Sequence, residues 1–275
     1  MKTREQINRE QIKHETRAAK NAHRAAKHQN TIIVESDPTT PVDCACVIHG
    51  DIYSWQYVEV LYSRLKRNLS REIRMHVYTE QDREVPPHMI KHVLTEWPGI
   101  RGSKKSWWYK MQLFNPAHYS GQLLYLDLDT VIVNNLDWIT QLGSSHLWAI
   151  RDFKTLWRPK FQGINSSVMY WHTEKFAKIW TEFAEQDILK LCARYHGDQD
   201  YLSAVLKPTQ RRFFPEKSAQ SWRWQALDGG MDPYKRTYNH PGLGTQIGPD
   251  TSLLIFHGQP KPHQVTDPVI KTYWH

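Results

Sequence analysis

The sequence predicts an α/β fold, in which helices cover a β-sheet. A short apolar strand over Cys44–His49, an amphipathic helix over Tyr53–Asn68 and a second strand over Ile73–Thr79 follow one another directly, and this succession typically begins such a sheet. Leu123–Val133 is the most hydrophobic segment and indicates a buried strand. With 275 residues, 40% of them hydrophobic and 23% charged, the chain is long enough for one sizeable domain.

The remaining elements are predicted from the same periodicities. Residues 80–102 contain three prolines and are expected to form a loop. Thr173 is a plausible N-cap for the helix that follows it. In chain order, we predict a helix over Lys104–Phe114, strands over His146–Asp152 and Asn165–Trp171, helices over Thr173–Leu191 and Asp198–Leu206, and a late strand over Ser252–His257.

The amino-terminal segment differs in composition from the rest of the chain. Its first thirty residues carry eight Lys and Arg against three Glu, a charge of +5 out of +8 for the whole chain. Their apolar stripe is too weak to bury much surface, and Pro38 and Pro41 indicate a linker. We therefore predict a basic helical extension and linker over residues 1–41 and a folded domain over 42–275. Because the domain itself is only mildly basic, the total charge does not identify a nucleic-acid-binding protein.

Three observations favour a cytoplasmic protein. No stretch approaches 18 consecutive apolar residues, so no transmembrane helix is expected. The first thirty residues contain no apolar run of the kind that forms a secretory signal. The chain has three cysteines, and we interpret Cys44 and Cys46 as buried, reduced thiols, because no further Cys or His stands at zinc-ligand spacing.

Two carboxylates, Asp127 and Asp129, interrupt the most apolar strand at alternate positions. Residues two apart in an extended strand point to the same side. Two carboxylates held together in a buried place repel each other unless a cation lies between them. Oxygen ligands of this kind suit Mn²⁺ or Mg²⁺, which in turn bind phosphates. Two surface aspartates at the end of a strand are the simpler alternative.

Two enzyme classes use such a motif. In metal-dependent glycosyltransferases, the carboxylates hold a metal on the diphosphate of a nucleotide sugar. In haloacid-dehalogenase-like phosphatases, an apolar strand ends in Asp-x-Asp-x-Thr and the first Asp is a nucleophile. Asp127–Thr130 is similar to this pattern, with its Thr directly after the second Asp. The phosphatase motif normally lies on the first strand of its domain, whereas here a complete strand–helix–strand segment precedes it. Position therefore favours the transferase.

From residue 42 to about 263, the order of motifs resembles retaining glycosyltransferases of the family 8 type. Lys110 precedes the paired aspartates, where such enzymes place a basic residue near the donor. Asn165–Tyr170 is similar to the family's Asn-Ala/Ser-Gly-Val segment, with Ser in place of Gly. Asp198–Ser203 is similar to Asp-Gln-Asp-x-Leu-Asn and differs at the last position. Phe256–Pro262 resembles the family's His…Gly…Lys-Pro motif at shorter spacing, and the Trp that usually follows is His263.

The resemblance implies a GT-A-like fold, a Rossmann-like nucleotide-binding mixed sheet flanked by helices. It also implies metal-dependent transfer of a hexose from a UDP-sugar to an acceptor, with retention of configuration. Asp127, Asp129 and His257 would hold Mn²⁺ or Mg²⁺. The residues expected to bind the donor and its metal are Ile48, His49, Gly50, Lys110, Asp127, Leu128, Asp129, Asn165, Gly258 and Lys261.

The resemblance further implies that Gln199 lies on the face of the sugar opposite the leaving group. Asp198 or Asp152 would then bind sugar hydroxyls. Two of these features also have a simpler interpretation. Acidic residues such as Asp198 in the first turn of a helix are favoured by the helix dipole. A histidine at the end of a strand, such as His257, can be a core residue. Trp107 and its neighbour Trp108, and likewise Trp222 and Trp224, could be core residues or a platform for a pyranose ring.

The sequence leaves the acceptor and the oligomeric state open. A saccharide, a lipid-linked glycan or a protein could accept the sugar. A nucleic-acid acceptor, to which the basic tail would bring the enzyme, is the weaker alternative because no base-reading motif is present.

Overall fold

The computed structural model of the protein describes residues 39–100, 105–232 and 234–275. The predicted basic helical extension lies outside these residues, so the domain boundary at residue 42 stays a prediction. The described chain forms a seven-stranded sheet, a three-stranded sheet and a two-stranded hairpin. No helix in the described part is both long and apolar enough to cross a bilayer.

The strands, numbered along the chain, are β1 Val42–Val47, β2 Ile73–Thr79, β3 Ile90–Val93, β4 Gln122–Leu126, β5 Thr130–Ile132, β6 Leu147–Arg151, β7 Ile164–His172, β8 Arg211–Phe213, β9 Ala219–Ser221, β10 Met231–Asp232, β11 Thr237–Tyr238 and β12 Leu253–Ile255. The α-helices are α1 Gln56–Asn68, α2 Asp137–Thr140, α3 Ala177–Ala184, α4 Ile188–Arg194, α5 Asp198–Val205 and α6 Pro268–Tyr273. The principal 3-10 helices are Ser106–Phe114 and Phe153–Leu156, and Trp222–Ala226 forms a π-helical turn.

The large sheet has the strand order β3-β2-β1-β4-β7-β6-β8. Its strands are parallel to one another, except that β7 runs antiparallel to both β4 and β6. The carboxyl ends of β1, β4 and β6 therefore lie at one edge of the sheet. Because β7 is reversed, its first residues reach that same edge, and this brings residues from distant parts of the sequence together.

The central strand β4 is buried on both faces of the sheet. Leu124 and Leu126 pack into one hydrophobic core together with α1. Leu123 and Tyr125 pack into a second core, which the 3-10 helix Ser106–Phe114 helps to form. Alternate residues of β4 thus enter different cores, which explains why this strand is the most apolar run of the sequence.

The predicted single strand Leu123–Val133 is two strands in two different sheets. Strand β4 ends at Leu126, and β5 pairs with β12 in the three-stranded sheet. Between them, the amide of Thr130 donates to the carbonyl of Asp127 at 3.0 Å and closes a turn. The prediction of one extended strand was therefore wrong, because β5 pairs with β12 in a second sheet and the chain turns between Asp127 and Thr130.

Two other predicted elements also differ. The predicted helix Thr173–Leu191 is divided into a 3-10 turn, α3 and α4. Thr173 stands at the predicted N-cap position, before the 3-10 turn Glu174–Phe176, but its side chain does not cap that turn. Its hydroxyl instead accepts from the amide of Gly121 at 3.0 Å, next to the start of β4. Strand β3 lies within the predicted loop 80–102. It is a four-residue edge strand with Ile90 42% exposed, so it lacks the apolar alternation that marks longer strands.

Candidate active site

A cleft of about 900 Å³ opens at the edge of the large sheet where β1, β4 and β6 end. Ligands of open α/β sheets characteristically bind at this edge. Most of the predicted site residues line the cleft. The lining residues are Val47, His49, Ile52, Tyr53, Ser106, Trp107, Lys110, Tyr125, Asp127, Leu128, Asp129, Lys154, Asn165, Ser166, Ser167, His196, Gly197, Asp198, Gln199, Asp200, Phe256, His257, Gly258, Gln259 and Lys261.

The carboxylate of Asp127 lies at the end of β4 between two partners. The hydroxyl of Tyr125 donates to it at 2.5 Å, and the ammonium of Lys110 lies 2.8 Å away. Lys110 also approaches the carboxylate of Asp198 at 3.6 Å. Burial by itself would lower the pKa of Lys110, but the two carboxylates outweigh burial and raise it. Lys110 is thus a buried ammonium that neutralises two acidic groups at once.

Asp129 occupies the other end of the turn and is 7% exposed. It accepts from the hydroxyl of Tyr53 at 2.8 Å and from the ammonium of Lys261 at 2.5 Å. Burial raises the pKa of Asp129, while Lys261 acts in the opposite direction. Leu128 stands between the two aspartates and packs into the core with α1, which holds the turn in place. The two carboxylates therefore face the cleft, each paired with a different lysine.

His257 reaches this turn through the pairing of strands. Strand β12 runs antiparallel to β5, with Ile255 opposite Thr130, so the residues after β12 approach the aspartate turn. The ring of His257 is stacked on Trp224 at 4.8 Å, and its buried Nε2 has no hydrogen-bond partner. Burial lowers the pKa of His257 to about 4, so the ring is neutral near pH 7 and keeps a lone pair.

Two carboxylates and a neutral imidazole nitrogen are ligands of the type that Mn²⁺ accepts. An unpartnered buried nitrogen aimed at a cleft is also what a metal ligand would present, so the residues fit the predicted ion chemically. As the side chains stand, no three His, Cys, Asp or Glu residues in the described part of the chain are close enough to hold an ion together. Lys110 and Lys261 instead supply the positive charge at the two carboxylates.

The first turn of α5 is tied to β6 and β7. The amide nitrogen of Gln199 donates to the carboxylate of Asp152 at 2.8 Å, and the amide oxygen lies 3.4 Å from the backbone nitrogen of Ser166. The hydroxyl of Ser166 donates to Asp198 at 2.7 Å. Burial raises the pKa of both Asp152 and Asp198. Asp152 does not line the cleft itself, but it fixes the orientation of the Gln199 amide, which does.

Of four further residues predicted to bind the donor, two line the cleft and two do not. Asn165 lines the cleft and accepts from the amide of Ser167 at 3.1 Å. His49 lines it as well, with its ring stacked on Tyr109 at 4.1 Å. Ile48 is buried in the core, and Gly50 does not line the cleft. Donor-binding roles for these residues stay predictions.

The last predicted donor-binding residue, Gly258, has φ of +62° and open space where a Cβ would lie. Glycine adopts this left-handed conformation without strain, so the backbone between His257 and Lys261 can turn at the mouth of the cleft. Its role in donor binding is likewise a prediction.

Several cleft residues were not predicted. Tyr53, Tyr125, Ser166 and Lys154 line the cleft and contact its carboxylates. Two of them carried a signal: Tyr125 stands two residues before Asp127, and Ser166 lies within the segment Asn165–Tyr170.

Of the two tryptophans just before Lys110, Trp107 lines the cleft and Trp108 is buried in the core. Trp107 lies directly against Gly197: a Cβ there would be 2.8 Å from the indole nitrogen of Trp107. The glycine before α5 is therefore required for the close approach of this tryptophan to the first turn of the helix.

Comparison with known proteins identifies the fold. No protein-family model matches the sequence, and no match is found among curated proteins. The structure is similar to that of the glycosyltransferase GlyE of Streptococcus pneumoniae TIGR4, with a TM-score of 0.59 and 16% identity over 85% of this chain and 60% of the GlyE chain. It is also similar to a galactosyltransferase, LgtC, solved with donor and acceptor sugar analogues, with a TM-score of 0.55 and 14% identity over 84% of this chain and 94% of LgtC.

A third similar structure is the bifunctional glycosyltransferase WbbM, with a TM-score of 0.53 and 11% identity over 81% of this chain and 47% of WbbM. The chain thus spans about three fifths of GlyE and less than half of WbbM. The predicted GT-A-like glycosyltransferase fold is confirmed by these similarities and by the mixed sheet.

Proposed function

We propose that this protein is a metal-dependent glycosyltransferase that moves a hexose from a UDP-sugar to an acceptor with retention of configuration. The observation that supports the proposal best is the arrangement around the turn after β4. A buried aspartate, a partly buried aspartate, two lysines and an unpartnered histidine nitrogen line one cleft at the edge of the sheet where open α/β sheets bind ligands. The similarity to GlyE and LgtC adds to this support.

Asp127, Asp129 and His257 would hold Mn²⁺ or Mg²⁺, which when bound supplies Lewis-acid stabilisation of a leaving diphosphate. Lys110 and Lys261 now neutralise the same carboxylates. Once a cation binds these carboxylates, the two ammonium groups are available to bind phosphate oxygens. The chain therefore provides positive charge on one side of the cleft, where negative charge develops as the diphosphate leaves.

Gln199 is proposed to lie on the opposite side of the sugar. The amide is a poor nucleophile, so a covalent glycosyl intermediate is not favoured. We favour a front-face reaction in which the acceptor hydroxyl bonds to the anomeric carbon as the bond to the diphosphate breaks. The hydroxyl proton then passes to a leaving phosphate oxygen. In this scheme the oxygen of Gln199 stabilises the positive charge of an oxocarbenium-like transition state.

Binding of the donor nucleotide tests the proposal directly. UDP with Mn²⁺ at about 100 times its dissociation constant should stabilise the protein by about 2.7 kcal/mol, a rise in Tm of about 5–10 °C for a domain of this size. EDTA should abolish the shift. His257→Phe keeps a ring beside Trp224 but removes the nitrogen, so it should reduce the Mn²⁺-dependent part of the shift. His240→Phe, at an exposed position, is the matched control.

An equal shift from UDP in the presence of EDTA would show that the metal assignment is wrong. If UDP gives no shift under any condition, the donor assignment is wrong. A phosphatase would instead release phosphate from p-nitrophenyl phosphate, and the Asp127→Asn variant would lose this activity. Transfer to nucleic acid would appear as sugar incorporation into an oligonucleotide. A cytoplasmic location stays a prediction that these measurements do not address.

Gln199→Ala should lower turnover by about 100-fold while leaving the UDP-dependent thermal shift unchanged, because its proposed contact is with the sugar in the transition state. Gln186→Ala, an exposed glutamine before α4, is the control and should retain full activity. Proton NMR of the product should show an α-linked sugar from an α-linked donor. A β-linked product would contradict both retention and the proposed role of Gln199.

A further inference from the structure

A positively charged, aromatic surface borders the cleft on the side of Lys154 and His257. Its charged members are Arg158, Lys160, Arg223 and Arg236, all exposed, which we call the basic rim. The rim was not identified from the sequence, because its members come from three separate segments. It plays no part in the donor site described above.

Contacts between aromatic residues bring the three segments together. The rings of Trp157 and Trp224 meet edge to face with centroids 4.9 Å apart. The hydroxyl of Tyr234, a residue 76% exposed, donates to the carbonyl of Trp157 at 2.7 Å. Each rim cation stands within three residues of one of these aromatic residues along the chain. The three segments that carry the four cations therefore meet at the two tryptophans.

The surface is continuous with the cleft. Trp224 is stacked on His257, which lines the cleft. On the other side, the carbonyl of Lys154, also a lining residue, accepts the amide of Arg158 at 2.8 Å. A molecule that lies over Trp157 and Trp224 would thus reach the cleft beside the proposed metal ligands.

The rim is not neutralised by neighbouring acids. Across residues 39–100, 105–232 and 234–275, no carboxylate forms a salt bridge with any of its four cations. The carboxylate of Asp232 accepts the amides of Tyr234 and Lys235, and Lys154 faces Asp152 and Asp200 at 3.8 Å. Exposed cations without counter-ions beside a cleft raise the local concentration of anionic ligands.

We propose that this surface binds the acceptor and that the acceptor is an acidic saccharide, bearing carboxylate or phosphate groups. This inference rests on the proposed glycosyl transfer and names its acceptor class. The apolar face of a pyranose stacks on an aromatic ring, as Trp157 and Trp224 provide. Three of the four rim cations are arginines, whose planar guanidinium pairs with carboxylate or phosphate through two hydrogen bonds.

The alternative anionic partner is a nucleic-acid strand. Proteins that bind single strands use a positive groove that follows the backbone over many nucleotides. Here the cations lie on three short segments that meet at two packed tryptophans, which suits an oligosaccharide of a few residues better.

Isothermal titration calorimetry of the full chain at low salt tests the inference without any donor. Tetragalacturonate and its carboxyl-reduced form make one pair of probes, and phosphorylated and unphosphorylated maltotetraose make a second, which separates carboxylate from phosphate recognition. At least one acidic probe should bind about tenfold more tightly than its neutral partner, and added salt should reduce the difference.

Arg158→Gln combined with Arg223→Gln should remove this preference for the acidic probe and leave the neutral probe unchanged. Trp157→Ala should weaken both probes. Lys66→Gln on α1 and Lys190→Gln on α4 remove exposed cations from elements that carry no rim residue, and should have no effect. Tm values of all variants show whether they are folded.

The inference would be overturned if acidic and neutral probes bound equally tightly. It would also be overturned if the control variants lost the preference for the acidic probe as fully as the arginine variant. Tighter binding of an oligothymidylate, lost in the arginine variant, would assign the surface to nucleic acid instead. Because these titrations contain neither UDP nor metal, they are independent of the donor proposal. If the protein binds UDP but shows no preference for acidic saccharides, the proposed acceptor class is wrong and the donor proposal is unaffected.

Discussion

Asp129→Asn is expected to lower the rate of sugar transfer by about 10³-fold, the effect typical of removing one electrostatic group from an active site. Asparagine has the same shape but no charge. Asp129 is buried and accepts from both Tyr53 and Lys261. The substitution removes one negative ligand charge from the proposed metal site, and the partly buried ammonium of Lys261 loses its counter-ion.

Rates with a UDP-sugar and UDP titrations with and without Mn²⁺ check this prediction. The loss of activity should accompany weaker Mn²⁺-dependent binding of UDP, whereas binding of acidic saccharides to the basic rim should persist. Asp250→Asn, at an exposed position before β12, is the matched control and should retain wild-type activity. An Asp129→Asn variant with activity within about threefold of the wild type would contradict a role for this carboxylate in binding the donor.

Much of the fold could be predicted because the main strands are buried on both faces. Strand β2 has the predicted bounds, and β4 shows the continuous apolar run of a strand between two cores. Edge strand β3 was missed because its exposed residues give no such run. The division of Leu123–Val133 was missed for a different reason: it depends on the pairing of β5 with β12, more than a hundred residues later.

The candidate site was predictable at Asp127 and Asp129, where carboxylates interrupt an apolar segment. Gln199 was identified only through the resemblance to a known family. The partners of these residues could not be predicted. Tyr53 and Ser166 reach the carboxylates only because β7 is reversed and because α1 packs beside the aspartate turn. The basic rim could not be found for the same reason, since its residues meet only in three dimensions.

Lys110→Met should destabilise the protein by about 3–5 kcal/mol, the usual cost of removing one partner from a buried ion pair. The side chain of Lys110 is 10% exposed, and it lies 2.8 Å from Asp127 and 3.6 Å from Asp198. Methionine fills a similar volume, so packing changes little. The buried carboxylate of Asp198 and the partly buried carboxylate of Asp127 lose their cation, so part of their desolvation penalty is no longer offset.

Urea unfolding at several pH values tests this explanation. Burial raises the pKa of Asp198 even with Lys110 present, so without Lys110 its pKa should rise further. A carboxyl whose pKa is raised on folding destabilises the protein above that pKa, and the penalty disappears as pH falls through it. The deficit of Lys110→Met should therefore be larger at pH 8 than at pH 5.

A second substitution separates the effect of charge from that of packing. Adding Asp198→Asn to Lys110→Met should recover at least about 1 kcal/mol, measured as the coupling energy of a double-mutant cycle. Lys178→Met removes an exposed lysine paired with Glu182 at 3.3 Å and should cost at most about 0.5 kcal/mol. If Lys110→Met costs no more than this control, or if its deficit is the same at pH 5 and pH 8, then Lys110 does not neutralise buried carboxylates. In that case solvent, rather than the protein, would balance the charge of the aspartates in the cleft.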